Sequence, residues 1–395
     1  MKIFPQVRAV CAVNLRSLSQ RLGASIVLVA GIAGAVGVLV TVLALGRGLE
    51  QSFANTGKPD RAIVTSKGAL SEGSSSLQRE VAFAAPDARG LKKNAQGKPV
   101  LSMEVLTQIR LEALSDGVLK NVSLRGIGPL ALALRPEIRL VEGRMFRPGL
   151  HEIVVGVPLQ GQFKHLALGD AVTIQGSPWT IVGSFESHDG GAHDSEIFAD
   201  AVSLLSVFHR TNFQSITVQL QNADAIKPFA AALAANPSLS IEVQREDLYF
   251  AEQSKAIVRL LTSVGYVIGV IMAVGAVFAA MNTMYAAVSA QALFIATLRA
   301  IGFDAGAVLV AIFVEALALA VSGALVGTAI AWLLFSGHSI NMLSSGQNQT
   351  IFALHISSQL AVLGVVWALV MGFAGGLFPA IRAARLPVVE ALRAM

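Results

Sequence analysis

Apolar and polar positions are spread very unevenly along the chain. From Ala24 to Gly46 there is no charged residue, and a run of that length crosses roughly 30 Å of hydrocarbon. Comparable runs cover Leu260–Met284, Ala305–Phe335 and Leu360–Ile381, with Glu315 the only acidic or basic residue inside them. The pattern predicts four transmembrane helices, at 24–46, 257–284, 305–335 and 360–381. The first apolar core is too long for a signal peptide and no small-x-small cleavage site follows it, so it is read as an uncleaved span.

Residues 47–256 have a different texture. Short alternating or β-branched stretches predict strands at Arg61–Thr65, Asn121–Arg125, Glu152–Val155, Ala171–Gln175, Trp179–Val182 and Ser215–Leu220. Helical patterns lie at Met103–Glu112 and Ala225–Ala235. Two more, Gly48–Asn55 and Val243–Ile257, lead out of the first span and into the second, with apolar and charged positions mixed as on a surface helix. Gly68–Asp87 and Gly90–Pro99 read as exposed loop, and Ser187–Ser195 (SHDGGAHDS) as a solvated glycine turn rather than a metal centre. The fold class is therefore a membrane α-helical protein of four transmembrane helices with an α+β extracytoplasmic domain inserted between helices 1 and 2.

Charge gives the orientation. Lys2, Arg8, Arg16 and Arg21 precede the first span, Arg299 lies between the second and third, and Arg382, Arg385 and Arg393 follow the fourth; the 336–359 loop has no Lys or Arg. The bias of cations toward the cytoplasm puts both termini (1–23 and 382–395) and the 285–304 segment inside, and 47–256 with 336–359 outside. Only 14% of the 395 residues are charged and 54% are hydrophobic, against roughly 25% charged in soluble domains. The net charge of +5 is then topological: no basic stripe with interleaved aromatics points to nucleic acid. The single cysteine, Cys11, permits no internal disulfide.

Catalytic signatures are missing. No G-x-x-x-x-G-K-[ST], H-E-x-x-H, G-x-S-x-G or C-x-x-C occurs. The chain is expected to hydrolyse no ATP by itself and to be no enzyme, with no cofactor or metal. Glu315, near mid-depth of its span, is read as an acid that binds helices together rather than as a lone proton site. Gly265/Gly269, Gly323/Gly327 and Gly372/Gly376 have the spacing for close helix contact, and span one has Gly31, Gly34 and Gly37.

Met281–Ala318 reads MNTMYAAVSAQALFIATLRAIGFDAGAVLVAIFVEALA. Its Asn282-Thr283-Met284, Leu298-Arg299-Ala300-Ile301-Gly302 and Glu315-Ala316-Leu317 elements resemble the core signature of MacB/FtsX/LolC-type ABC transporter permeases. The C-terminal Phe378-Pro379-Ala380, Ala383-Ala384-Arg385 and Pro387-Val388-Val389-Glu390-Ala391-Leu392-Arg393 are similar to that family's tail. In the outer region Glu142-Gly143-Arg144, Glu152-Ile153-Val154-Val155-Gly156, Leu168-Gly169-Asp170 and Ile181-Val182-Gly183 match its recurring pieces. One departure stands out: an Arg-Glu pair usual in the family's coupling segment falls here on Leu293 and Phe294, within SAQALF.

The resemblance implies an inner-membrane permease subunit, a homodimer or heterodimer, working with a cytosolic ABC ATPase. A periplasmic adaptor is left open. ATP-driven motion would act on a substrate outside the membrane, or, in the FtsX-like alternative, activate a periplasmic protein without transport. Gln291, Phe294, Leu298, Arg299 and Gly302 would touch the ATPase, with an apolar contact where relatives have a charged one. Asn282, Glu315, Gly323, Gly327, Gly372 and Gly376 would pack the helices.

Overall fold

The computed structural model describes residues 6–8, 10, 22–188, 190–236, 238–336, 339–343, 349–354 and 356–385. The N-terminal cations Lys2, Arg16 and Arg21 and the tail motif from Pro387 to Arg393 lie outside these. Eight helices longer than one turn occur among the described residues: α1 Leu22–Thr56, α2 Arg79–Ala84, α3 Ala201–Val207, α4 Ile226–Ala234, α5 Glu246–Ala290, α6 Ala292–Ala300, α7 Ala305–Phe335 and α8 Ser358–Ala384. The strands are β1 Arg61–Ser66, β2 Leu101–Glu112, β3 Leu119–Ile127, β4 Ile138–Gly143, β5 Glu152–Gly156 and β6 Ala171–Ile174, followed by β7 Ser177–Ser187, β8 Glu196–Asp200, β9 Ser215–Gln219, β10 Ile241–Arg245, β11 Ser339–Leu343 and β12 Gln349–Ala353.

The chain divides into two compact units. One comprises 1–46, 260–337 and 354–395; the other comprises 47–259 and 338–353. Helices α1, α5, α7 and α8 are each long and apolar enough to cross a membrane.

Within the first unit the helices meet at small residues. A Cβ on Gly327 would lie 2.3 Å from the Ala33 carbonyl oxygen, and one on Gly376 would lie 2.6 Å from Ala316 Cβ. Gly323 meets Ile32, and Gly372 meets Ala320. Lipid offers no hydrophobic drive toward helix association, so backbone approach and dispersion hold such contacts. Glu315 is buried on α7. Asn282, expected beside it in the packing, is exposed instead.

In the second unit ten strands form one sheet in the order β10-β1-β9-β2-β3-β8-β5-β7-β4, with β6 also on β7. Only β3–β8 and β5–β7 run parallel. Strand β2 serves two neighbours. Leu101–Glu104 pairs with β9, and Val105–Glu112 pairs with β3. One apolar core gathers Val64, Ile216, Val218, Phe229 and Leu77 beneath α4. The other gathers Val105, Leu124, Ile153, Trp179 and Ile197.

Three expectations need correction. Met103–Glu112 is strand, not helix: its apolar residues satisfy both a helical spacing and a period of two, and long-range pairing with β3 decides. Gly68–Asp87 is not an exposed loop, because Glu72, Leu77, Val81 and Ala85 are buried and α2 forms there. Val243–Arg245 belongs to strand β10, so that helix starts at Glu246.

Candidate functional site

The first candidate is the segment after α5. The helix breaks at Gln291 (φ −100, ψ 7) and resumes as α6. Ile295 and Ala296 are buried, and Ile295 joins Met284, Val288, Val308, Ile312, Ala380 and Ala383 in a core at the ends of α5, α7 and α8. The opposite side shows Leu293, Phe294 and Thr297, with Ile301 just past the helix end at 70% exposure. Their spacing puts them on one face.

The Leu298-Arg299-Ala300-Ile301-Gly302 element is the end of α6 and its cap. Gly302 has φ +99, its N–H donates to Arg299 O, and the Phe303 N–H donates to Leu298 O. This is the two-bond αL terminus that glycine adopts without strain. Of the residues expected at the ATPase contact, Phe294 is exposed, Leu298 and Arg299 are half-buried and Gly302 is exposed. Gln291 is buried, so it sets the break rather than the surface. The exposed Leu293 and Ile301 are outside the expected contact set, because their outward phase depends on where the break falls.

The second candidate, which the sequence did not reveal, is a buried charge network in the outer unit. Arg125 on β3 uses all five donors. Nε and Nη2 bond the two Glu196 oxygens at 2.7 and 2.9 Å, Nη1 and Nη2 bond Glu72 at 3.0 and 2.9 Å, and Nη1 reaches Glu104 at 2.7 Å. Arg135 forks onto Glu104 at 2.6 and 3.1 Å. Arg61 binds Glu137, the carbonyls of Leu134 and Thr56, and Glu246 at 2.5 Å.

Thr56 closes α1 and Glu246 opens α5, so the network ties both helix ends to the sheet. The Tyr249 hydroxyl on α5 accepts from the Glu72 N–H, and His193 Nδ1 pairs with Glu196 at 2.8 Å. Burial alone would raise Glu104, but Arg135 and Arg125 hold its carboxyl at about 2. Burial wins at Glu246 and raises it despite Arg61 and Arg135. Glu196 is lowered, since Arg125 and His193 outweigh its burial.

The Ser187–Ser195 segment is not a solvated turn. His193, Asp194 and Ser195 are buried, and among the described residues no cluster of three or more ligating side chains could hold a metal. Arg125 sits at a polar position of a segment read as strand and Glu104 at one of a segment read as helix; no local signal marks either position as covered.

Comparison with known proteins divides the chain in a similar way. The family described as MacB-like periplasmic core domain matches residues 25–236, and the FtsX-like permease C-terminal family matches 266–388. An uncharacterized ABC transporter permease, YknZ of Bacillus subtilis, is 26% identical over an alignment of 388 residues that covers 93% of this chain and 94% of the relative. Two solved structures are also similar. The extracellular domain of the noncanonic ABC-type transporter YknZ from Gram-positive bacteria has 18% identity and a TM-score of 0.35, covering 47% of this chain and 99% of that one. The periplasmic region of MacB from Actinobacillus actinomycetemcomitans has 12% identity and a TM-score of 0.36, covering 49% and 92%.

Proposed function

The chain belongs to the family of ABC transporter permeases that join a MacB-like periplasmic core domain to an FtsX-like permease region, and from that premise we propose that it turns ATP hydrolysis by a separate cytosolic ATPase into motion of its outer domain. The permease itself is the non-catalytic subunit. Its termini and α6 lie in the cytoplasm, by the placement of Arg299, Arg382 and Arg385, and it sits in the bacterial inner membrane as a homodimer or heterodimer.

The observation that carries this reading is α5. It runs unbroken from Glu246 to Ala290. Its first turn is fastened to Arg61 and Arg135, and α6 follows its other end after a single break. A push on the Leu293/Phe294/Ile301 face is passed along this helix, whose first turn the buried ion pairs fasten to the sheet. Two grooves in the described spans are lined almost wholly by apolar residues such as Val270, Phe278, Val370, Ile26 and Leu334. That suits work done outside the bilayer on an exported or extracted substrate better than passage of a polar solute between the helices. The same observation leaves room for the FtsX-like alternative, in which the moving domain activates a periplasmic protein.

The test is copurification. Tagged permease in mild detergent is expected to hold its cognate cytosolic ABC ATPase, and ATP turnover of the eluate is expected to rise with bound permease. A folded permease that retains no ATPase would refute the reading.

A further inference from the structure

The segment from Gly190 to Ser195 touches the ends of both long helices. The Ala192 N–H donates to Thr56 Oγ1 on α1 at 2.6 Å. The His193 ring stands edge-on to Phe250 of α5, with centroids 5.9 Å apart. What pins the segment is Asp194: its Oδ1 accepts from the Ser187 N–H at 2.6 Å, and its own N–H donates to Gly191 O. Asp194 is 6% exposed.

The charged groups that act on Asp194 are both acids. Glu186 faces it from β7 and is itself paired with Arg139 of β4. Glu196 faces it from β8 and is paired with Arg125 and His193. Among the described residues no cation is one of the charged groups that act on Asp194. β5 carries only Glu152, which is bound to Arg144; the Val157–Gln160 turn and β12 have no titratable residue. Thr56 is neutral, His188 is exposed at the surface, and Glu246 of α5 adds a further acid toward His193. The cluster of Arg61, Arg125 and Arg135 with Glu72, Glu104, Glu137, Glu196, Glu246 and Asp194 has more acids than guanidinium groups. A buried carboxylate without a cation costs several kcal/mol and takes up a proton instead.

We propose that Asp194 is a proton-operated latch: neutral, it holds the Gly190–Ser195 segment against the α1 and α5 ends; ionised beside Glu186 and Glu196, it releases the segment. Gly190, at φ +69, and Gly191 give the segment a hinge. Burial pushes the Asp194 carboxyl up to about 7 against the Ser187 N–H, whose hydrogen bond favours the ionised form, with Glu186 and Glu196 adding to the rise, so the latch works near neutral extracytoplasmic pH. The inference concerns the outer unit alone and does not rest on the transport reading.

Hydrogen–deuterium exchange of the full-length permease in lipid nanodiscs tests it, read on the 186–196 peptide from pH 5.5 to 8.5 with rates normalised to intrinsic exchange. Protection is expected to fall at least about tenfold across that range, while Asp194→Asn keeps it at every pH. Wild-type protection that does not change with pH overturns the latch, and so does a folded Asp194→Asn variant with the wild-type profile. Should Asp194→Asn not fold, Glu186→Gln decides. Removal of that neighbouring charge is expected to move the wild-type midpoint to lower pH, and an unmoved midpoint overturns the proposal.

Discussion

Glu104→Gln probes the buried network at its most enclosed carboxylate. Glu104 is fully buried and accepts from both Arg135 and Arg125. The variant keeps the volume of the side chain and removes its charge. Wild-type Glu104 is drawn from an ordinary 4.5 to about 2; at about 1.4 kcal/mol per tenfold in proton affinity, that is about 3 kcal/mol of stabilisation. Because the folded value is depressed, this stability is present above about pH 4.5 and is lost as pH falls through about 2. For a unit of this size the loss amounts to roughly 6 to 12 °C in melting temperature. Thermal unfolding of the full chain in nanodiscs, followed by scattering and intrinsic fluorescence, measures it. At pH 7 Glu104→Gln is expected to unfold roughly 6 to 12 °C below wild type, with the gap narrowing as pH falls below 4.5. An unchanged melting temperature at pH 7, or a gap that does not respond to acid, would refute the claim that these ion pairs hold the outer unit together.

Three other predictions follow from named contacts. Asp194→Asn should stabilise the protein increasingly as pH rises from 4 to 8, by up to about 4 kcal/mol, since the wild-type acid is raised from 3.8 to about 7 and its neutral form is the one favoured by folding; urea titrations at the two pH values check it. Gly327→Val places side-chain atoms where a Cβ alone would be 2.3 Å from Ala33 O, and should abolish the monodisperse peak on size-exclusion chromatography, because backbone cannot yield as a side chain does. Phe294→Asp puts a charge into the exposed apolar face of α6 and should weaken ATPase association at least about tenfold in a pull-down titration, whereas Thr297→Asn, on the same face but polar already, should leave it near wild type.

The membrane helices were legible because charge is nearly absent from them: a run such as Ala24–Gly46 has one physical explanation at that length. Strands with clean alternation, such as Ala171–Ile174, were legible for the same local reason. Strand β2 was not, since MEVLTQIRLE fits two periodicities and its partners, β3 and β9, lie elsewhere in the chain. Glu72 was hidden in a Ser- and Gly-rich stretch, and its burial depends on Arg125, more than fifty residues away. In the 285–304 segment the sequence marked Phe294 and Gly302, but the inward turn of Gln291 and the outward turn of Ile301 depend on a helix break that local composition does not fix.

The central claim, that work done by an ATPase reaches the outer unit, is tested most directly by hydrogen–deuterium exchange across residues 47–259 in the reconstituted permease–ATPase complex, with and without ATP and vanadate. Nucleotide trapping is expected to change protection around Thr56, Glu246 and the 186–196 peptide, although the nucleotide itself binds on the cytosolic partner. Identical exchange throughout the outer unit in an active, trapped complex would contradict the account.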